Sequence, residues 1–288
     1  MPAKPSSDAA VAEDAGVAAA TVTQEVRSRR WHRWKRDLAG IGLVALVVWS
    51  IDRLQIPLDR LPGILGRMGE TLMTRYLPPD MARIAQPDYL HSVFETLQMS
   101  YLATVLGIFF AVPLAWFASA NMSPSRILYP LARLTIMACR SVHEMIWTIL
   151  LVAILGFGML PGVLALTLFC IGFAGKLFAE AVEAIDIGPV EAMRATGADP
   201  LQTFVYAVLP QVRVAWTGTS IYTWDVVFRA ATVVGFFGAG GMGWYLRESM
   251  QRIASQEVAA IILSIVIVVL IAELFSSWVR TRISRAIA

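Results

Sequence analysis

PVEAMRATGADPLQTFVYAVLP, residues 189–210, is a polar, punctuated segment set between two long apolar ones. Pro189 suits the first turn of a helix, where its missing N–H has no partner in any case, and Glu191 brings negative charge to the positive end of the helix dipole. Gly197 sits where such a helix stops. Asp199 followed by Pro200 starts a second helix, in which Leu201, Phe204, Val205 and Val208 fall at i, i+3, i+4 and i+7 and form one apolar face. Pro210 then disrupts or bends that helix. Two short helices hinged at a glycine present Glu191, Arg194 and Gln202 to water and rest their apolar sides on flanking helices, which reads as a docking surface. An ordinary interhelical loop has the same punctuation.

The flanks decide what kind of chain this is. Hydrophobic residues make up 57% of the 288 residues, and the mean hydropathy is +0.63. That is more apolar surface than a soluble domain buries, so the chain reads as an all-α integral membrane protein. Spans are expected at 38–51, 93–119, 131–155, 163–182, 214–234 and 258–279, about six in all. The net charge of +3 gives no case for nucleic acid. Basic residues instead gather at Arg27, Arg29, Arg30, Arg33, Lys35 and Arg36, directly before the first apolar run, and at Arg280, Arg282 and Arg285 after the last. The positive-inside rule then puts both termini and the 189–210 segment in the cytoplasm. Residues 1–36 read as a disordered basic tail without a signal-peptide core, and 37–288 as the membrane domain. Five Arg and five Asp or Glu between residues 52 and 91, with a Leu77-Pro78-Pro79-Asp80 turn, mark an extracytoplasmic loop or partial helix. Cys139 and Cys170 stand singly in spans and read as packing residues; no spacing suggests a metal site.

Charges fall inside the expected spans. The apolar stretch 145–155 is too short to cross a bilayer that needs about 20 residues, so the third span extends back through Arg140, His143 and Glu144. Asp225 and Arg229 create the same situation in the fifth span. An ionisable group at mid-bilayer costs about 2.5–3.5 kcal/mol on insertion scales, so such groups face the bundle interior, a partner or water. Two readings stand side by side. Arg140 with Glu144, Lys176 with Glu180 and Asp225 with Arg229 are spaced to neutralise one another at i, i+4. Alternatively Arg229, and then Arg140, offer guanidinium donors to an oxyanion on a translocation path. Trp147 follows His143 by one turn, as packing or as lining. The run Gly238-Ala239-Gly240-Gly241-Met242-Gly243 fits GxGxxG but follows a membrane helix, so it reads as close packing or a sharp reversal and not as a dinucleotide site.

Glu191-Ala192-Met193, then Gly197, then Ala207-Val208-Leu209-Pro210 resembles the "EAA" loop of permeases of ATP-binding-cassette importers. Further stretches are similar to phosphonate-type permeases: residues 139–145 (CRSVHEM), 162–166 (GVLAL), Lys176 with 180–185 (EAVEAI), and Arg229 with 231–235 (ATVVG). The resemblance covers most of the membrane region and implies the type I importer permease fold. It assigns Glu191, Ala192, Arg194, Gly197, Leu209 and Pro210 to ATPase coupling. It further implies a cytoplasmic ATPase dimer that binds ATP and Mg, a periplasmic phosphonate-binding protein and a second permease copy or homologue in the bacterial inner membrane. Met193 and Ala207 depart from the commoner Ala and Ile, and Val227 stands where phosphonate permeases carry a polar Asn, which leaves the substrate open among phosphonate, phosphate and phosphite. No G-x-x-x-x-G-K-[ST] run is present, so ATP acts through a partner. A proton-coupled carrier using His143, Glu144 and Asp225 is the alternative from another class, and a membrane enzyme using His143 and Glu144 as base and acid is a third.

Overall fold

The structure, a computed structural model, describes residues 37–54 and 61–287. The tail expected at 1–36 lies outside the described residues. The chain divides into two compact units, one ending at Gly69 and one beginning at Glu70. The first unit holds helix α1, residues 37–53. Its apolar side chains, Ile41, Leu43, Val44 and Trp49 among them, are exposed all round. Helix α2, Leu61–Thr71, starts in this unit and runs on as a π-helical turn, Leu72–Tyr76.

Among the described residues of the second unit every regular element is a helix. After the single-turn α3 (Met81–Ile84) come α4 (Pro87–Ala118), α5 (Leu128–Ser141), α6 (Glu144–Leu155) and α7 (Met159–Glu183). The short helices α8 (Gly188–Ala195) and α9 (Pro200–Thr203) follow, then α10 (Leu209–Val234), α11 (Gly241–Gln251) and α12 (Ser255–Ile287). Among the described residues three helices, α4, α7 and α12, are long and apolar enough to cross a membrane alone. Two bent pairs, α5 with α6 and the α9–α10 run with α11, bring the number to as many as five. With 17 residues, α1 lies at the short limit of a span.

Helix α7 is the axis of the bundle. In its most apolar stretch 61% is buried, against 22% in α12, so α7 is wrapped by protein and α12 faces outward. Small residues make this wrapping close. A Cβ on Gly107 of α4 would sit 2.4 Å from Cys170 of α7, and one on Gly172 would sit 2.6 Å from the Arg140 stem of α5. Between membrane helices there is little hydrophobic drive, so such close backbone approach supplies the dispersion contact that holds them. Cys139 and Cys170 are both free and buried, as packing residues are. The outer faces carry exposed Tyr101, Leu102, Phe109, Leu270, Ile271 and Leu274. Large continuous apolar surface of this kind belongs in lipid or against a partner.

The expected third span is broken. The third span is not a single helix through Arg140, His143 and Glu144, because α5 ends at Ser141 and α6 leaves at 86° to it. Val142 and His143 are extended, with ψ of 125° and 145°, and the His143 Nδ1 lies 3.4 Å from the Met145 N–H as the cap of α6.

Candidate functional site

The 189–210 segment lies at the end of the bundle where α7 finishes and α10 begins. The Asp186 carboxylate accepts the Gly188 N–H at 3.0 Å and opens α8. That helix stops at Gly197, whose φ of +83° disfavours residues with a Cβ, while the Gly197 and Ala198 N–H groups return to the carbonyls of Arg194 and Met193. Asp199 then caps α9 in a full capping box: its carboxylate accepts the Gln202 N–H at 2.6 Å, and the Gln202 side chain accepts the Asp199 N–H at 3.1 Å. The two-helix hinge read from the sequence is therefore present. The disruption expected at Pro210 falls just before it. A π-helical turn, Phe204–Val208, precedes it, with the Leu209 N–H reaching back to the Phe204 carbonyl, and α10 continues through the proline.

The apolar face differs from the one expected. Phe204 and Val208 are buried as predicted, but Leu201 and Val205 are not; Leu201 is 57% exposed. The buried set is instead Thr203, Phe204, Ala207, Val208, Val212 and Trp216. The shift is already set at Leu201 and Thr203, ahead of the π turn, so that residues 203–204 and 207–208 meet the core. Leu201, Val205, Tyr206 and Leu209 are left on the surface beside exposed Glu191, Ala192, Arg194, Gln202 and Pro210. Beneath this surface Val190 is buried, Phe178 stacks on Trp216 at 4.8 Å, and the Trp216 indole N–H donates to the Phe178 carbonyl at 3.2 Å.

One clamp joins the two ends of the loop segment and a second ties together the helix ends behind it, and neither is marked by local spacing in the sequence. Gln211 of α10 accepts the Asp186 N–H at 3.0 Å and donates to the carbonyls of Asp186 (3.2 Å) and Ala207 (2.8 Å), so the entry to α8 and the start of α10 move together. Arg133 of α5 donates through Nε to the Ala118 carbonyl at 2.7 Å and pairs with Glu183, which also accepts the Ala120 N–H at 2.9 Å. The ends of α4, α5 and α7 are thereby tied directly behind the loop.

The charges expected inside the spans separate into paired and unpaired groups. Arg229 Nη2 lies 2.7 Å from Asp225 Oδ2, and Lys176 Nζ lies 3.4 Å from Glu180 Oε1, so these two i, i+4 pairs exist. The pair Arg140 with Glu144 does not form, because the bend between α5 and α6 falls between them; Glu144 instead meets His143 Nδ1 at 3.3 Å. That same Nδ1 cannot both cap Met145 as an acceptor and donate to Glu144, so its proton decides which contact is made. Asp225 is buried and its Oδ1 has no partner among the described residues. The Trp147 indole nitrogen is buried and unpartnered in the same way. Among the described residues no group of three or more His, Cys, Asp or Glu is placed to hold a metal ion.

The glycine run lies at the opposite end. Gly238, Gly240 and Gly241 have φ of +112°, +87° and +67°, and they carry α10 through a π-helical turn (Gly235–Ala239) into α11 at a bend of 54°. The run makes a bend and not the sharp reversal read as one alternative; the other, close packing, is present, since a Cβ on Gly235 or Gly243 would meet backbone atoms at 2.4 and 2.1 Å. Gly240 offers no side chain to cap α11, so α4 supplies the acceptors: Glu95 takes the Gly241 N–H at 3.2 Å and Thr96 the Met242 N–H at 3.0 Å.

Residues 103–288 match the family model described as binding-protein-dependent transport system inner membrane component. The phosphite transport system permease protein PtxC of Stutzerimonas stutzeri is 40% identical over 253 residues, which is 86% of this chain and 90% of that one. The phosphate-import permease protein PhnE of Mycolicibacterium smegmatis is 36% identical over 246 residues, 85% of this chain and 45% of that longer one. Among solved structures, an inward-facing MetNI methionine ABC transporter superposes with a TM-score of 0.61 at 22% identity, over 70% of this chain and 96% of that one. By this match along the membrane bundle, the chain belongs to the inner membrane components of binding-protein-dependent transport systems.

Proposed function

We propose that this chain is the permease subunit of an ATP-driven importer for a phosphorus oxyanion: phosphite, phosphate or a phosphonate. The observation that carries the reading is the hinged loop itself, with apolar Leu201, Val205, Tyr206 and Leu209 on the surface next to Glu191, Arg194 and Gly197. Exposed apolar anchors inside a charged rim suit a protein partner better than water. The names of the phosphite and phosphate permeases above supply the substrate class.

In this reading two copies of the chain, or this chain and a homologue, sit on an ATPase dimer that binds ATP and Mg in the cytoplasm, and a periplasmic binding protein delivers the substrate. Both termini and the loop lie on the cytoplasmic side. ATPase closure pushes on α8 and α9. Gln211 passes the displacement into α10, and the Arg133–Glu183 clamp passes it to α4, α5 and α7. Arg140 and Arg229 offer donors along the path, while His143, Glu144 and Asp225 orient them or exclude cations. The chain performs no hydrolysis of its own.

The test is uptake of phosphite, phosphate and methylphosphonate by cells lacking ATP synthase, with and without this chain and its partners. ATP and the proton gradient are depleted separately. Loss of chain-dependent uptake on ATP depletion alone is the expected result. Loss on gradient collapse alone would instead support the proton-coupled carrier, for which the unpartnered Asp225 oxygen is the favourable feature.

A further inference from the structure

The α5 and α7 helices leave an open groove of about 380 Å³ between them, lined by Arg133, Ile136, Met137, Arg140, Ser141 and Lys176. Three of its six lining residues are cations. They are not equivalent. Arg133 is held by Glu183 and the Ala118 carbonyl and forms a fixed wall at the loop end. Among the described residues Lys176 has one polar contact, to Glu180 at 3.4 Å, which leaves ammonium donors free. Arg140 is exposed, and no hydrogen bond or ion pair engages its guanidinium among the described residues. Its stem lies against Gly172, midway along the 25 residues of α7. Gly172 and Gly175 let α5 approach closely enough to bring Arg140 and Lys176 into one groove.

A free guanidinium at this depth is costly against lipid, so the groove is wet or occupied. Resting on the importer reading above, we infer that this groove is an oxyanion station, in which the guanidinium of Arg140 and the ammonium of Lys176 together bind a tetrahedral phosphorus oxyanion during its passage. Arg140 supplies paired donors and Lys176 a mobile point charge. A lipid headgroup carries the same phosphorus chemistry, but headgroups lie at helix ends, whereas Gly172 is at mid-helix. The cargo is therefore the occupant.

The test uses the full complex in proteoliposomes. Met137, an exposed residue of the groove wall, is changed to cysteine, and its modification by anionic and cationic methanethiosulfonates is timed. The anionic reagent should react about tenfold faster, and both Arg140→Gln and Lys176→Gln should remove that preference. Millimolar phosphate or phosphite should slow the reaction equally in bilayers with and without phosphatidylglycerol. Protection that follows the phosphatidylglycerol content and ignores added phosphate would assign the groove to lipid and overturn the inference. Equal rates for the two reagents would overturn it as well. In parallel, Arg140→Gln and Lys176→Gln should lower phosphite uptake about tenfold, with Lys176→Arg restoring most of it. If the parent complex imports none of phosphite, phosphate and methylphosphonate, the function reading fails; if it imports one of them and both variants match it, only the station fails.

Discussion

The two ends of the bundle are built by opposite means. At the loop end, α8 and α9 are short, exposed and closed by their own residues: Asp186, Gly197, and the Asp199–Gln202 capping box. At the glycine end, the α10–α11 bend is buried and capped from α4, 146 residues away in sequence. The first is a surface kept available; the second is a joint fixed by backbone contact. A substitution at the glycine end should therefore act on folding, and one at the loop end on coupling.

The largest effect expected is that of Gly243→Val. A Cβ there would lie 2.1 Å from the Thr232 carbonyl and 2.4 Å from the Phe236 nitrogen, both backbone atoms. Overpacking of this kind costs about 3 kcal/mol or more, and loss of the monodisperse peak in size-exclusion chromatography is the expected outcome. Next comes Thr96→Val, which strands the buried Met242 N–H at a cost of about 1–3 kcal/mol, read as a lowered melting temperature in detergent. Thr96→Ser keeps the acceptor and should melt close to the parent.

At the loop end, Gly197→Val meets nothing within 4 Å, so its cost is only the left-handed backbone, about 1–2 kcal/mol. Its signature should be ATP hydrolysis separated from uptake, and Gly197→Asn, which tolerates positive φ, should restore the link. The smallest effect belongs to Gln211→Leu. With stability nearly unchanged, transport per ATP should fall about fivefold, in the range typical of residues lying between coupled sites. A large loss of stability in either loop-end variant would break the contrast between the two ends.

What the sequence revealed follows the same division. Pro189, Gly197 and the Asp199-Pro200 pair act locally, so the helix starts and the stop could be read directly. The apolar face could not, because period alone does not separate residues that meet the core from residues that meet a partner; Leu201 and Val205 fit both. The bend after Ser141 was hidden for a related reason. His143 is a weak helix cap, and the apolar run after it reads as a continuation of α5. The ion pairs at 176–180 and 225–229 were legible from i, i+4 spacing because their helices are unbroken there. Gln211, Arg133, Glu95 and Thr96 act through distant chain segments, and no spacing rule points to them.

The most direct measurement, with Cys139 and Cys170 replaced by Ala, places a single cysteine at Leu201 in one variant and at Trp244 in another, and asks which forms a cross-link to the co-purified ATP-hydrolysing subunit. Both positions are on the surface, at opposite ends of the bundle. Docking on the loop predicts a cross-linked band from position 201 and none from 244. No band from 201, or bands of equal strength from both, would contradict it.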